Sequence, residues 1–165
     1  STLANFLSEK ISAPALIKDE MKEIACDEIG FSSREENLKL SRVSISEMLY
    51  AFLQTAKVGN DIILEANFRE KEYSKITEIA GKYNYKVFPF VLIGNVDMLY
   101  ERFLKRLPYR HKAHTSLHLE RDISLFKEKV FLARQELEKY NFDTITVDNK
   151  TTEEISDYII RKLTK

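Results

Sequence analysis

Cys26 is the only cysteine in the chain. One thiol cannot close an internal disulfide, and its solitude fits a reducing cytoplasm, which is the expected location. Net charge is missing as well, because 26 Lys and Arg balance 26 Asp and Glu. A neutral chain has no broad field to draw in polyanions. That argues against general nucleic-acid binding and leaves room only for a local basic patch. No apolar run approaches bilayer-spanning length and no signal peptide is visible, so no membrane partner is expected. Repeats, low-complexity tracts and linkers are absent too. What is present is 165 residues, 44% hydrophobic and 32% charged. This composition belongs to a soluble globular chain, expected as one domain over residues 1–165 with a sizeable core.

The central stretch is Ile62-Ile63-Leu64-Glu65-Ala66-Asn67-Phe68-Arg69, entered through Gly59-Asn60-Asp61. Its β-branched apolar start has no polar alternation, which suits a strand covered on both faces in a parallel sheet. Glu65, Asn67 and Arg69 follow at the carboxyl end. Ligands of open parallel sheets bind outside that end, so an acid, an amide and a guanidinium there mark a candidate polar site. The plainer alternative is a strand end with a solvated turn.

Around this stretch, helices and strands alternate. Ser1 to Ile11 carries a helical stripe of Leu3, Phe6, Leu7 and Ile11. Residues 13–17 form a short strand with Pro14 near its start, where a missing donor is tolerated. Lys18-Asp19 ends that strand, a helix runs from Glu20 to Glu28, and Gly30 breaks it. A long helix over 34–57 should bury Leu40, Val43, Met48, Leu49, Phe52 and Leu53. Another spans 71–83 with Ile76, Ile79 and Ala80 inward. Residues 87–93 read as a strand, although Pro89 removes a ladder donor. Asn95 caps a helix to Arg106, Pro108 ends it, and 107–121 is a loop. A helix over 123–140, a strand over 144–147 and a terminal helix follow. Thr151-Thr152-Glu153-Glu154 has capping-box spacing for the last helix, which should bury Ile155, Tyr158, Ile159 and Leu163. Such alternation predicts an α/β fold with a parallel sheet and right-handed crossovers.

Four segments, in order, resemble the motifs of P-loop kinases. Ser1-Thr2-Leu3-Ala4 resembles the tail of a Walker A loop, cut just after its lysine. Lys18-Asp19-Glu20-Met21-Lys22-Glu23 resembles the Asp-x-x-Lys/Arg segment after the second strand. Ile63 to Arg69 resembles the Walker-B-like third strand. Tyr100 to Arg106, with Arg110-His111-Lys112-Ala113-His114, resembles an arginine-rich lid. The chain is similar throughout to small-molecule kinases of the AAA_33 or zeta-toxin-like group, relatives of the polynucleotide kinase domain. This resemblance implies a P-loop NTPase fold of the nucleoside-kinase-like type, a three-layer sandwich with a lid at about 107–121. It also implies an N-terminal strand and phosphate-loop glycines upstream of Ser1. In this fold that strand lies between the third and fourth, so residues 62–66 and 87–93 should not pair directly.

The resemblance further implies ATP and Mg²⁺ as cofactors and a hydroxyl of a small molecule as phosphate acceptor. Ser1 and Glu65 would stand at the metal, with Ser1, Thr2, Arg102, Arg106 and Arg110 at the nucleotide. Asp19 would orient or deprotonate the acceptor hydroxyl, with Arg102 and Arg106 acting on the transferred phosphoryl group. Asp19, Lys22, Glu65, Asn67 and Arg69 would line the acceptor site. Arg102 and Arg106, four apart, share one helical face, and guanidinium forks suit phosphate oxygens. Each role has a plainer alternative: Ser1 and Asp19 as helix caps, Lys22 and Arg69 as solvated cations, the lid arginines as a charged helix face. His111, His114 and His118 could in principle ligate a transition metal, but phosphate or substrate contact is the expectation. Cys26 reads as a small buried apolar residue. The alternative function is a non-catalytic nucleotide-binding module or a zeta-toxin-like protein. Monomer and dimer are both open.

Overall fold

A computed structural model describes residues 1–114, 122–140 and 142–164. The chain forms two compact units, residues 1–87 with 152–165, and residues 88–151. The elements are α1 (Thr2–Ile11), β1 (Ala15–Ile17), α2 (Lys18–Ile29), α3 (Arg34–Val58), β2 (Ile63–Glu65), α4 (Glu70–Lys82), β3 (Phe90–Ile93), α5 (Val96–Arg106), a 3-10 turn (Leu107–Tyr109), α6 (Ile123–Leu137), β4 (Asp143–Thr146) and α7 (Thr152–Leu163).

The first unit is built on a parallel pair, β1 beside β2, in the register Ala15 to Ile63, Leu16 to Leu64 and Ile17 to Glu65. The Ile63 amide also donates to the Pro14 carbonyl, so the contact starts just before the strand. Helices α2 and α3 pack together, as do α3 and α4, and α1 and α7. The core is a cluster of Leu49, Phe52 and Ala56 from α3 with Ile76 and Ala80 from α4, flanked by Ile62, Leu64, Phe68 and Tyr85. Burying each large side chain of this kind is worth about 1.5–3 kcal/mol. The Tyr85 ring meets Phe52 edge-on, and its hydroxyl donates to the Asn60 carbonyl at 2.8 Å. That bond ties the turn before β2 to the core.

Local chemistry explains the helix ends. Ser33 caps α3 by accepting from the Glu36 amide, and the Glu36 carboxylate accepts from the Ser32 amide and hydroxyl. Gly59 closes the helix in the left-handed region at φ 78°, where glycine carries no Cβ penalty. Cys26 is fully buried, as the sequence reading holds.

The second unit holds the parallel pair β3 and β4, registered from Phe90–Asp143 to Ile93–Thr146. Tyr100 and Phe103 of α5 gather against Phe126 of α6, with ring centroids 5.2 and 5.5 Å from Phe126. Asn95 caps α5 by accepting from the amides of Asp97 and Met98.

Several boundaries differ from the sequence reading for identifiable reasons. Strand β3 begins at Phe90 instead of Val87, because Pro89 offers only its carbonyl, which accepts from the Asp143 amide. Helix α2 takes in Lys18 and Asp19, which were expected to end the strand and stand outside the helix. Val43 is 43% exposed although α3 was expected to bury it, since Leu40, Ser44 and Met48 occupy the inward face. Strands β2 and β3 lie in different sheets, and 62–66 does not pair continuously with 87–93 among the described residues. Among the described residues no helix is long and apolar enough to cross a membrane.

Candidate functional site

In the first unit the register sets the geometry. Ile17 pairs with Glu65, so β1 and β2 end at the same level. Lys18 and Asp19 leave one strand there, and Ala66 and Asn67 leave the other. The amino end of α1 reaches the same edge, with the terminal ammonium on Ser1 3.1 Å from Glu65 Oε2. The Ser1 side chain makes no capping hydrogen bond, and the Glu65 side chain is 43% exposed. A helix amino end and a half-exposed carboxylate therefore meet at the carboxyl edge. Amides in the first turn of a helix lack intrahelical acceptors and carry partial positive charge. Thr2 stands first in that turn.

Asp19 lies in the first turn of α2, half-exposed, and its Oδ1 accepts from Lys18 Nζ at 2.9 Å. Lys22 is one turn further on and is buried. Its ammonium donates to Asn37 Oδ1 on α3 at 2.6 Å, and Asn37 is buried too. Burial holds the Lys22 pKa below its ordinary value, with the positive charge of Lys18 acting in the same direction. This pair fixes α2 against α3 beneath Asp19. The sequence assigned Lys22 to substrate, and nothing in it marked Asn37 as the partner. The 15-residue separation crosses the α2–α3 turn, which no local pattern encodes.

Asn67 and Arg69 follow β2 and are exposed. Arg69 opens α4, and its backbone amide donates to the Glu72 carboxylate at 3.0 Å. In the second unit Arg102 and Arg106 are exposed on α5, and Arg106 Nε donates to the Arg102 carbonyl at 3.1 Å. The Arg110 guanidinium sits 5.5 Å from the Phe103 ring centroid. His111 Nδ1 accepts from the Ala113 amide, so that ring is part of a turn. His118 and the 115–121 part of the expected lid lie outside the described residues. Among the described residues no group of three or more His, Cys, Asp or Glu side chains is placed to hold a metal ion.

Sequence reasoning missed a second polar junction. The Asp148 carboxylate, just past β4, accepts twice from the Asn95 amide, at 2.8 and 2.9 Å. Arg134 of α6 donates to the Gly94 carbonyl. Together they fix the start of α5, the helix that carries Arg102 and Arg106.

No protein-family model and no curated protein sequence matches this chain. Solved structures do. A crystal structure named a "putative kinase", from Chloroflexus aurantiacus, superposes with a TM-score of 0.75 at 21% identity, over 97% of this chain and 89% of that one. The tunicamycin resistance protein of Deinococcus radiodurans superposes with a TM-score of 0.62 at 14% identity, over 99% of this chain and 90% of that one. At such identities the likeness is one of fold, a mixed α/β fold with parallel strand pairs.

Proposed function

We propose that this protein is an ATP- and Mg²⁺-dependent phosphotransferase that moves the γ-phosphate onto a hydroxyl of a small molecule. It would be a P-loop kinase of the AAA_33 or zeta-toxin-like kind, with a three-layer sandwich fold. The observation that carries this reading is that β1 and β2 end level, Ile17 beside Glu65, with Asp19 opening the next helix and α1 packed against both strands. The fold likeness to a kinase-named structure supports it.

The residues present suit these cofactors. Ser1 and Glu65 offer oxygen donors, the ligand type Mg²⁺ prefers, and Mg²⁺ fills its remaining positions with water and phosphate oxygens. When bound, the metal neutralises charge developing on the phosphates. Helix α1 directs its first-turn amides, Thr2 included, at the same anion. Asp19 accepts the proton of the attacking hydroxyl or orients it. Lys18 holds that carboxylate, and the Lys22–Asn37 bond holds the helix turn beneath it. Asn67 and Arg69 face the acceptor as polar contacts. Arg102, Arg106 and Arg110 supply phosphate-binding charge, for which the guanidinium fork is suited.

The test is ATP turnover by the full-length protein against a panel of nucleosides, sugars, amino sugars and hydroxylated antibiotics. With the responding acceptor, Asp19→Asn should lower turnover by about 10²–10⁴-fold, the usual worth of a positioned acid or base, and keep nucleotide affinity. Glu65→Gln should lower turnover and raise the Mg²⁺ requirement. Undiminished turnover in both variants would remove the proposed site.

A further inference from the structure

The outward face of α3 carries a pattern that the proposed phosphotransfer does not use. Lys39, Arg42, Val43, Ser46, Glu47 and Tyr50 line one shallow groove along this helix, and all six are exposed. Val43 is 43% exposed and Tyr50 is 64% exposed. Their i, i+3, i+4, i+7 spacing puts all six on one face of the helix. The stripe covers about three turns, or roughly 16 Å. Its charges are segregated, with Lys39 and Arg42 toward the amino end and Glu47 toward the carboxyl end.

We propose that this face is the dimer interface of the protein, with α3 of one copy packed antiparallel against α3 of a second. A two-fold axis crossing the helix between Ser44 and Ile45 makes the stripe complementary to itself. Arg42 comes level with Glu47 of the other copy, Lys39 with its Tyr50, and Val43 with its Ser46. Each contact occurs twice, as an isologous interface requires. Arg42 and Glu47 form charge pairs, Lys39 lies over the Tyr50 ring, and the small Ser46 leaves space for Val43. Lys39 already pairs with Glu35 at 3.0 Å, an exposed contact of small worth that leaves its stem free to cover the ring. Antiparallel packing also opposes the two helix dipoles favourably. A parallel arrangement would set Arg42 against Arg42 and Glu47 against Glu47, so the charge order selects one orientation. It also disfavours a strongly anionic partner or an anionic lipid surface, because Glu47 lies in the middle of the patch.

Six residues a side is less than the 20–30 of a standard stable interface, so the dimer should be weak and concentration-dependent. The experiment is sedimentation equilibrium on the full-length protein from micromolar to near-millimolar concentration, with circular dichroism to verify folding. Arg42→Glu and Glu47→Arg should each weaken association about tenfold or more, since each places like charges in contact twice. The combined variant carrying both changes should return to within a few-fold of wild type, because the pairing is restored with its sign reversed. Ser46→Tyr should abolish association by bulk alone. A protein monomeric up to about 1 mM overturns the proposal. So does a dimer indifferent to the single changes, or a combined variant no more dimeric than either single one.

Discussion

Gly94→Ala is a change of one methyl group whose cost can be worked from its surroundings. A Cβ at Gly94 would lie 3.0 Å from Asp148 Oδ1, 3.2 Å from Leu99 Cδ2 and 3.2 Å from Val147 Cγ2. The first neighbour cannot retreat freely, because both Asp148 oxygens accept from the Asn95 amide at 2.8 and 2.9 Å. Nor can the backbone slide away easily, since Arg134 holds the Gly94 carbonyl. Overpacking of this kind costs about 1–3 kcal/mol. Removing glycine freedom from the unfolded chain returns about 0.4–1 kcal/mol. At the middle of these ranges the net expectation is a loss of about 1.3 kcal/mol, or about 3–5 °C in Tm for a chain of this size. Gly81→Ala is the matched control. Gly81 is inside α4 and a Cβ there meets nothing within 4 Å. The same methyl should raise stability by about 0.5–1 kcal/mol through helix propensity. Thermal and urea unfolding of both variants decide the matter. A Gly94→Ala protein as stable as wild type would refute the argument that Asp148 and Arg134 lock this junction.

Two further outcomes are expected. Arg106→Ala should lower turnover by about 10²-fold, more than it weakens nucleotide binding, because the arginine is assigned to charge that develops in the transition state. Arg106→Lys should not restore the rate fully without the planar fork; unchanged turnover on separate alanine replacement of Arg102, Arg106 and Arg110 would leave these arginines as a solvated face. Lys22 sets a pH dependence. Its folded pKa is below the ordinary 10.5, so between the two the unfolded chain binds more protons and stability rises with pH. The penalty of the buried charge is fully present below the folded pKa. The stability difference between wild type and Lys22→Met, followed by urea unfolding up to about pH 10.5, should shift in favour of wild type as pH rises. A constant difference across that range would show that Lys22 titrates as a solvated lysine.

Much of this architecture is written locally. Gly59 in its left-handed turn, Asn95 at the head of α5 and the buried side of α4 follow from residue type and period alone. The central apolar run also appears where expected, as β2. What escaped was set by tertiary contact. Asp19 belongs to the first turn of α2 because the helix starts immediately after β1, and acidic residues suit a helix amino end as well as a strand end. Lys22 was assigned to substrate, with a solvated cation as the alternative, because its partner, Asn37, comes from the next helix. Val43 looked buried because an apolar residue on an amphipathic helix is assigned inward by default, although its period here places it outward. At the site, the kinase resemblance pointed to Ser1 and Glu65, but the level at which Glu65 ends its strand depends on the β1–β2 register.

The junction of β1 and α2 contains no connecting residue: Ile17 closes the strand and Lys18 opens the helix. Strand and helix therefore behave as a shaft and a crank joined without a coupling. The direction in which Asp19 points, the depth to which Lys22 reaches and the burial of Cys26 share a single phase angle, set by where the strand stops. One residue inserted at this point would turn the whole helix by about 100°. It would swing the carboxylate off the strand edge, pull the ammonium away from Asn37 and roll the thiol toward water together. Substitutions along α2 can be absorbed one at a time, whereas a change in chain length at this joint would have no slack to absorb it.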